Sequence, residues 1–308
     1  MLSFLSLSSC CPRFHRFVSS SRSLLSSPSH TESITIFRTD SKLPRWLKIT
    51  LSLLPFVLVI GLYLGGSYNL REQETKNQDS ATASSKLMPT PPEMWDGFSR
   101  AAFEQDSNGD YRLWLDTGAS INRFAVGMLF VSLGIIIGLY MGTFPFVEAL
   151  LYRFFVFFDK VPPLLLLPIL FIVFGVGELS KVALVVIGVL PGVVLDAHGR
   201  TKEIPHEQFN KAQTLGASEA EVAWRVVFPQ IFPKMLGTLR LNFKAAWVYV
   251  IAGESIAASL GIGYRIFVLR RYVAMDIIIP YVIWATLLMF VLDYVFQLWE
   301  NHYEWVGK

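Results

Sequence analysis

Apolar runs long enough to cross a bilayer alternate along this chain with shorter polar stretches, and the first of them is LKITLSLLPFVLVIGLYLGG, starting at Leu47. Its length of about twenty residues matches a hydrocarbon core of roughly 30 Å. Further runs predict spans near 121–141, 161–176, 179–195, 235–258 and 277–298. The expectation is an all-α membrane protein with about six transmembrane helices. The chain then divides into a low-complexity extension at 1–43, a first span at 44–66 and an extracytoplasmic segment at 67–120. A core of five spans follows at 121–298, with a cytoplasmic loop at 198–233 and a tail at 299–308.

Within the second run, Gly127, Gly134, Gly138 and Gly142 permit close helix approach, so this span is expected to pack against protein. The stretch FPFVEALLYRFFVFFDK is interrupted by Glu148, Arg153, Asp159 and Lys160, which predicts an interfacial helix leading into the third span. Pro162, Pro163 and Pro168 in that span require neighbours or water to satisfy the carbonyls they free. RLWLDT, before the second run, is expected to lie at headgroup level.

Composition agrees: 53% of residues are hydrophobic and only 17% charged, with a mean hydropathy of +0.45. The net charge of +3 is spread thinly, so nucleic acid is not an expected partner. Cys10 and Cys11 are the only cysteines, adjacent and near the start, and offer neither a disulfide framework nor a metal set. Residues 1–43 are serine-rich, with Arg13, Arg16 and Arg22 and no acid before Glu32. Arg45 and Lys48 precede the first span and acids predominate after it, which predicts a cytoplasmic N-terminus and an inner location for the loop at 198–233. Arg265, Arg270 and Arg271 then fall outside, against the positive-inside bias.

That inner loop holds KAQTLGASEAEVAWRVVFPQIFP, a polar island between greasy segments. Phe209, Ala212 and Leu215 recur on one helical face, with Gln208, Lys211 and Gln213 away from it. Gly216 stands where a helix C-cap needs positive φ. Ser218 and Glu221 form an S-x-x-E capping box, after which Val222, Ala223, Val226 and Val227 share a face until Pro229 ends the helix. A DNA-reading helix-turn-helix is set aside, because Arg225 alone would reach a phosphate. An ordinary helical loop and a knob docking in a partner's groove both remain.

The island resembles the EAA coupling loop of ABC-importer permeases, with Ala212 at the second alanine, Gly216 at the motif glycine and Pro229 at the closing proline. KVPPLLLLPILFIVFGVGELSKVALV and IAGESIAASLGIGYRI are similar to span signatures of the nitrate, sulfonate and taurine class, with Glu254 at its acidic position. Asn210 replaces the motif glutamate and Lys211 the first alanine; Glu207, one turn earlier, is the candidate to supply the missing carboxylate. The resemblance implies a type I ABC-importer permease fold in a bacterial inner membrane. It also implies partners: ABC ATPase subunits, an extracytoplasmic solute-binding protein and a second permease copy. Docking residues would be Glu207, Asn210, Lys211, Ala212, Leu215, Gly216, Ala217 and Pro229. No G-x-x-x-x-G-K-[ST] occurs, so ATP hydrolysis belongs to another subunit and no catalytic group, cofactor or metal is expected.

Glu254 with Ser255 is the candidate for the translocation pathway, a paired carboxylate near the outer interface being the alternative. Glu178 and Lys181 are expected to pair at i and i+3, and Asp293 to sit near the inner end of the last span. Asp196, His198 and His206 lack metal-motif spacing, which points to solvation. An ATP-independent secondary transporter or channel is the alternative function, and the substrate is left open among nitrate, taurine, alkanesulfonates, bicarbonate and vitamin precursors.

Overall fold

The computed structural model describes residues 45–76, 88–105 and 109–303; the expectations on 1–43 and on 304–308 of the tail fall outside them. The chain divides into two compact units, Met1–Phe56 and Val57–Lys308. In the first, the described part is the start of α1 (Arg45–Lys76), helical and largely exposed. Everything below concerns the second.

Its described regular elements are helices: the rest of α1, α2 (Pro91–Phe103), α3 (Arg112–Thr143), α4 (Pro145–Asp159) and α5 (Pro163–Phe174). There follow α6 (Glu178–Lys202), α7 (His206–Thr214) and the single turn α8 (Glu219–Glu221). A π-helical turn, Val222–Val227, joins α8 to α9 (Phe228–Ala257), and α10 (Ile262–Arg271) and α11 (Met275–Tyr303) complete the chain.

Four of these have the length and apolarity to cross a membrane: α1, α3, α6 and α11. The pair α4 and α5, bent by 102°, makes a fifth if it is one broken span. α9, at 30 residues, is about 45 Å long but carries Arg240, Lys244 and Glu254 and falls short in apolarity. The third expected span needs correction. α5 has only 12 residues, about 18 Å, and cannot cross alone. Pro162 and Pro163 break the helix there, because neither has a backbone N–H to continue it.

RLWLDT forms the first turns of α3, with Leu113, Asp116 and Thr117 buried. One further expectation changes. Pro229 does not end the second island helix: it lies in the first turn of α9, where a missing N–H is tolerated directly after the wider π-helical turn. The chain is thus helical without interruption from Glu219 to Ala257.

The tightest packing joins α3 and α6. Gly127 faces Val185, Gly134 faces Leu190 and Val194, Gly138 faces Ala197, and Gly142 faces Thr201. Both sets of numbers rise together, so the helices run parallel. α9 lies antiparallel beside them, with Phe124 of α3 edge-on to Phe243 and Trp247 at 5.3 and 5.7 Å. Leu167 and Leu170 of α5 cluster with Leu184 of α6. The ends of α3, α6 and α11 and the start of α9 share one end of the bundle, where Thr238 meets Arg200 and Arg240 meets Asp293.

A Cβ at Gly138 would lie 2.5 Å from both the Ala197 Cβ and the Val194 carbonyl oxygen. Gly138→Leu should therefore cost about 1–3 kcal/mol or abolish accumulation, read as a lowered thermal unfolding midpoint of the detergent-purified protein. Gly118, on the same helix, has nothing within 4 Å of such a Cβ, so Gly118→Ala should leave the midpoint unchanged or slightly raised.

Candidate functional site

The α7–α8 turn closes as the local sequence dictates. Gly216 has φ +88; its N–H donates to the Gln213 carbonyl (2.9 Å), and that of Ala217 donates to Ala212 (3.1 Å). This pair of bonds is a Schellman motif, which needs the left-handed residue that glycine supplies most cheaply. The Ser218 Oγ accepts from the Glu221 N–H (3.3 Å), and the Glu221 carboxylate accepts from the Ser218 N–H (3.0 Å), completing the expected box. Those Ser218 bonds, the backbone one foremost, with Arg225 nearby, hold the Glu221 carboxyl below the ordinary 4.5. The box is therefore intact at neutral pH and lost as pH falls through that lowered value.

Phe209, Ala212 and Ala217 pack partly against the main core, and Val222, Ala223 and Val227 are buried. Leu215 departs from its expected face. It is the residue before Gly216, where the helix has already ended, and is 88% exposed. Glu207, Asn210, Lys211, Gly216 and Pro229 are exposed as well, so the turn offers a knob headed by Leu215 with one acid and one base behind it. Trp224 fixes this element to the end of α3, its Nε1–H donating to the Tyr140 hydroxyl at 2.9 Å.

At the opposite end, Glu254 is fully buried in an ion pair: Arg123 Nη1 lies 2.6 Å from its Oε1. Arg123 also pairs with Glu178 through Nε and, at 2.8 Å, through Nη2. Lys181 reaches Glu178 at 2.9 Å, as its spacing suggested. The Ser120 hydroxyl donates to Glu254, Gly263 N–H donates to Glu254 (2.9 Å), Ile262 N–H to Ser120 (3.0 Å) and Gly261 N–H to Asp116 (2.9 Å). Three successive N–H groups opening α10 are thus taken by side chains of α3 and α9. A Cβ at Gly261 would lie 2.5–2.7 Å from the Glu254 carboxylate, so the glycine is required there. Of the two readings open for Glu254, this geometry is the paired carboxylate. Ser255 donates within its own helix to Ala252 at 2.8 Å.

Arg265 binds the buried Asp116 at 2.8 Å, which accounts for one arginine of the group that broke the charge bias. Arg270 lies over the Phe267 ring at 5.1 Å. The histidine–carboxylate set does not converge: His198 meets Glu148 (3.0 Å), while Asp196 meets Arg200 (2.8 Å) and Thr238. Among the described residues no group of three ligands could hold a metal. Asp293 pairs with Arg240 in the second half of α11 (2.8 Å). Sequence reasoning missed Ser120 and Arg123 as partners of Glu254 and Asp116 as the partner of Arg265; the available signal was three polar groups on one side of an otherwise apolar helix.

A bundle of apolar helices with one broken span and a capped turn at one end is the type I permease fold. It is similar to the inward-facing MetNI methionine ABC transporter at a TM-score of 0.53 and 17% identity, over 71% of this chain and all of that one. Residues 131–304 match the family described as binding-protein-dependent transport system inner membrane component, and the chain belongs to that family. It is 32% identical over 185 residues to the taurine transport system permease protein TauC of Escherichia coli (strain K12), covering 60% of this chain and 67% of TauC. It is 26% identical over 165 residues to the nitrate import permease protein NrtB of Synechocystis sp., covering 53% of this chain and 60% of that protein.

Removing one partner of a buried pair leaves the other charge uncompensated. Glu254→Ala should destabilise the detergent-purified protein by about 3–5 kcal/mol. Arg123→Ala combined with Glu254→Ala should cost much less than the sum of the single changes, measured as a double-mutant cycle on thermal unfolding.

Proposed function

We propose that this chain is the membrane-spanning subunit of an ATP-driven, binding-protein-dependent importer of a small anion or organic solute of the nitrate, sulfonate and taurine type. Two copies pair, an ATPase subunit takes each α7–α8 turn in a groove, and a binding protein delivers solute at the opposite, extracytoplasmic end. In this reading the N-terminus and the turn are cytoplasmic.

The observation that carries the proposal is the turn itself. Leu215, 88% exposed on a capped, polar-flanked knob at the bundle end, presents apolar surface of the kind a partner's groove covers. The knob is also mechanically connected. From Glu219 to Ala257 the backbone is one continuous helical path, so displacement at the turn reaches the Glu254 end of α9. ATP-driven closure of the ATPase pair would tilt the two α9 helices and open the pathway outward.

Gly216→Arg forces a residue with a Cβ to positive φ, which costs about 1–2 kcal/mol and re-aims the knob. With a tagged chain co-expressed with its ATPase, wild type should retain the ATPase on purification and the variant should lose it, with membrane levels equal. Retention by both, or by neither, overturns the docking role. Glu207→Gln should lower ATP-dependent uptake severalfold if this carboxylate replaces the one missing at Asn210; full uptake would sink that substitution idea.

A further inference from the structure

α9 carries an exposed lysine, Lys244, for which the described residues supply no partner. Its depth follows from the neighbours of α9. Tyr249 packs at Gly188, where a Cβ would lie 2.6 Å from its ring, and Thr238 is bonded to Arg200 at 3.3 Å. Lys244, between those two residues, lies level with the region around Gly192, near the middle of α6. The break between α4 and α5 is at the same level: a Cβ at Gly192 would lie 3.4 Å from the Asp159 carboxylate, and Pro163 also adjoins Gly188.

An ammonium at mid-depth needs water or a counter-charge. The membrane surface is roughly 15 Å away and a lysine side chain reaches about 6 Å, so snorkelling does not solve the problem. The other exposed faces suit lipid. α11 presents Val282, Ile283, Leu287, Phe290 and Val291, and α5 presents Leu165, Ile169 and Ile172. The open face of α9 instead mixes Leu241 (81% exposed) and Val248 with Lys244 and, further along, Ser255. Non-helical backbone at membrane depth, as at the α4–α5 break, is likewise tolerated only against protein or a water-lined cavity.

We propose that Lys244, on the α9 face that the second copy of the importer reading would cover across an aqueous path, is a cationic specificity residue for small oxyanions such as sulfonates and nitrate. This rests on the importer reading above and assigns a substrate charge to it. One ammonium from each copy raises the local anion concentration at the narrowest, least solvated level of the path, where a charge is least screened.

The test uses thiol chemistry on the full chain in membranes, with Cys10 and Cys11 replaced by serine. Val248→Cys, one turn from Lys244, is treated with two water-soluble methanethiosulfonates, the anionic sulfonatoethyl and the cationic trimethylammonioethyl reagent. Both should react, and the anion-to-cation rate ratio should fall about fivefold or more when Lys244→Gln is added but not when Lys244→Arg is added. Leu287→Cys on α11 should resist both reagents. An unreactive Val248→Cys, or a ratio indifferent to Lys244→Gln, overturns the proposal. Leu241→Cys should cross-link two copies through a short bifunctional thiol reagent; no cross-link removes the second copy from the proposal. An unchanged ratio with the ATPase still retained would discard Lys244 and leave the importer reading standing, whereas a changed ratio without ATPase retention would do the reverse.

Discussion

The close parallel contact of α3 and α6 is the constraint on which the rest of this protein depends. In a bilayer, helices gain little by hiding apolar surface from lipid, so association rests on dispersion over closely fitted backbones. Glycines at 127, 134, 138 and 142 let α6 approach until Ala197 and Val194 occupy the space side chains would fill. That approach aligns Arg123 on α3 with Glu178 at the start of α6. It also leaves the groove in which α9 lies antiparallel, with Phe243 and Trp247 against Phe124. The charge cluster at one end of the bundle and the capped turn at the other are therefore both consequences of one seam.

At the Glu254 end, burial of charge is used for position. A buried ion pair is a weak source of stability, because desolvation offsets most of the attraction. What it confers here is geometry: Glu254, Ser120 and Asp116 hold the first N–H groups of α10, and Arg123 also binds the Leu260 carbonyl at 2.9 Å. The loop 258–261 and α10 are thereby tied to α3 and α9 by directional bonds. If α9 tilts, α10 moves with it or these bonds break, so the two ends of the bundle respond to one helix.

The α7–α8 turn achieves rigidity by local means. A Schellman motif ends α7, a capping box begins α8, and the four residues between the helices turn at one glycine with φ +88. The π-helical turn that follows is where the capped turn meets the long helix α9. Its wider register accommodates Pro229, and the Trp224 bond to Tyr140 anchors it to α3. A rigid turn is thus joined to the long helix through an irregular segment.

Local sequence by itself determined much of this molecule: the apolar runs, the glycine stripe, the Gly216 cap, the Ser218–Glu221 box and the Glu178–Lys181 pair. Each depends on residues within a few positions of one another, where periodicity and capping chemistry suffice. Only the tertiary structure decided that α5 is half of a broken span, that α9 continues through Pro229, and that Leu215 leaves its helical face. It alone paired Glu254 with Arg123, and it alone left Lys244 exposed midway along α9. The physical reason is that a charge in a membrane protein is defined by its surroundings and its partner. Both are set by helices distant in sequence, and the separation of 131 positions from Arg123 to Glu254 carries no local trace of their meeting.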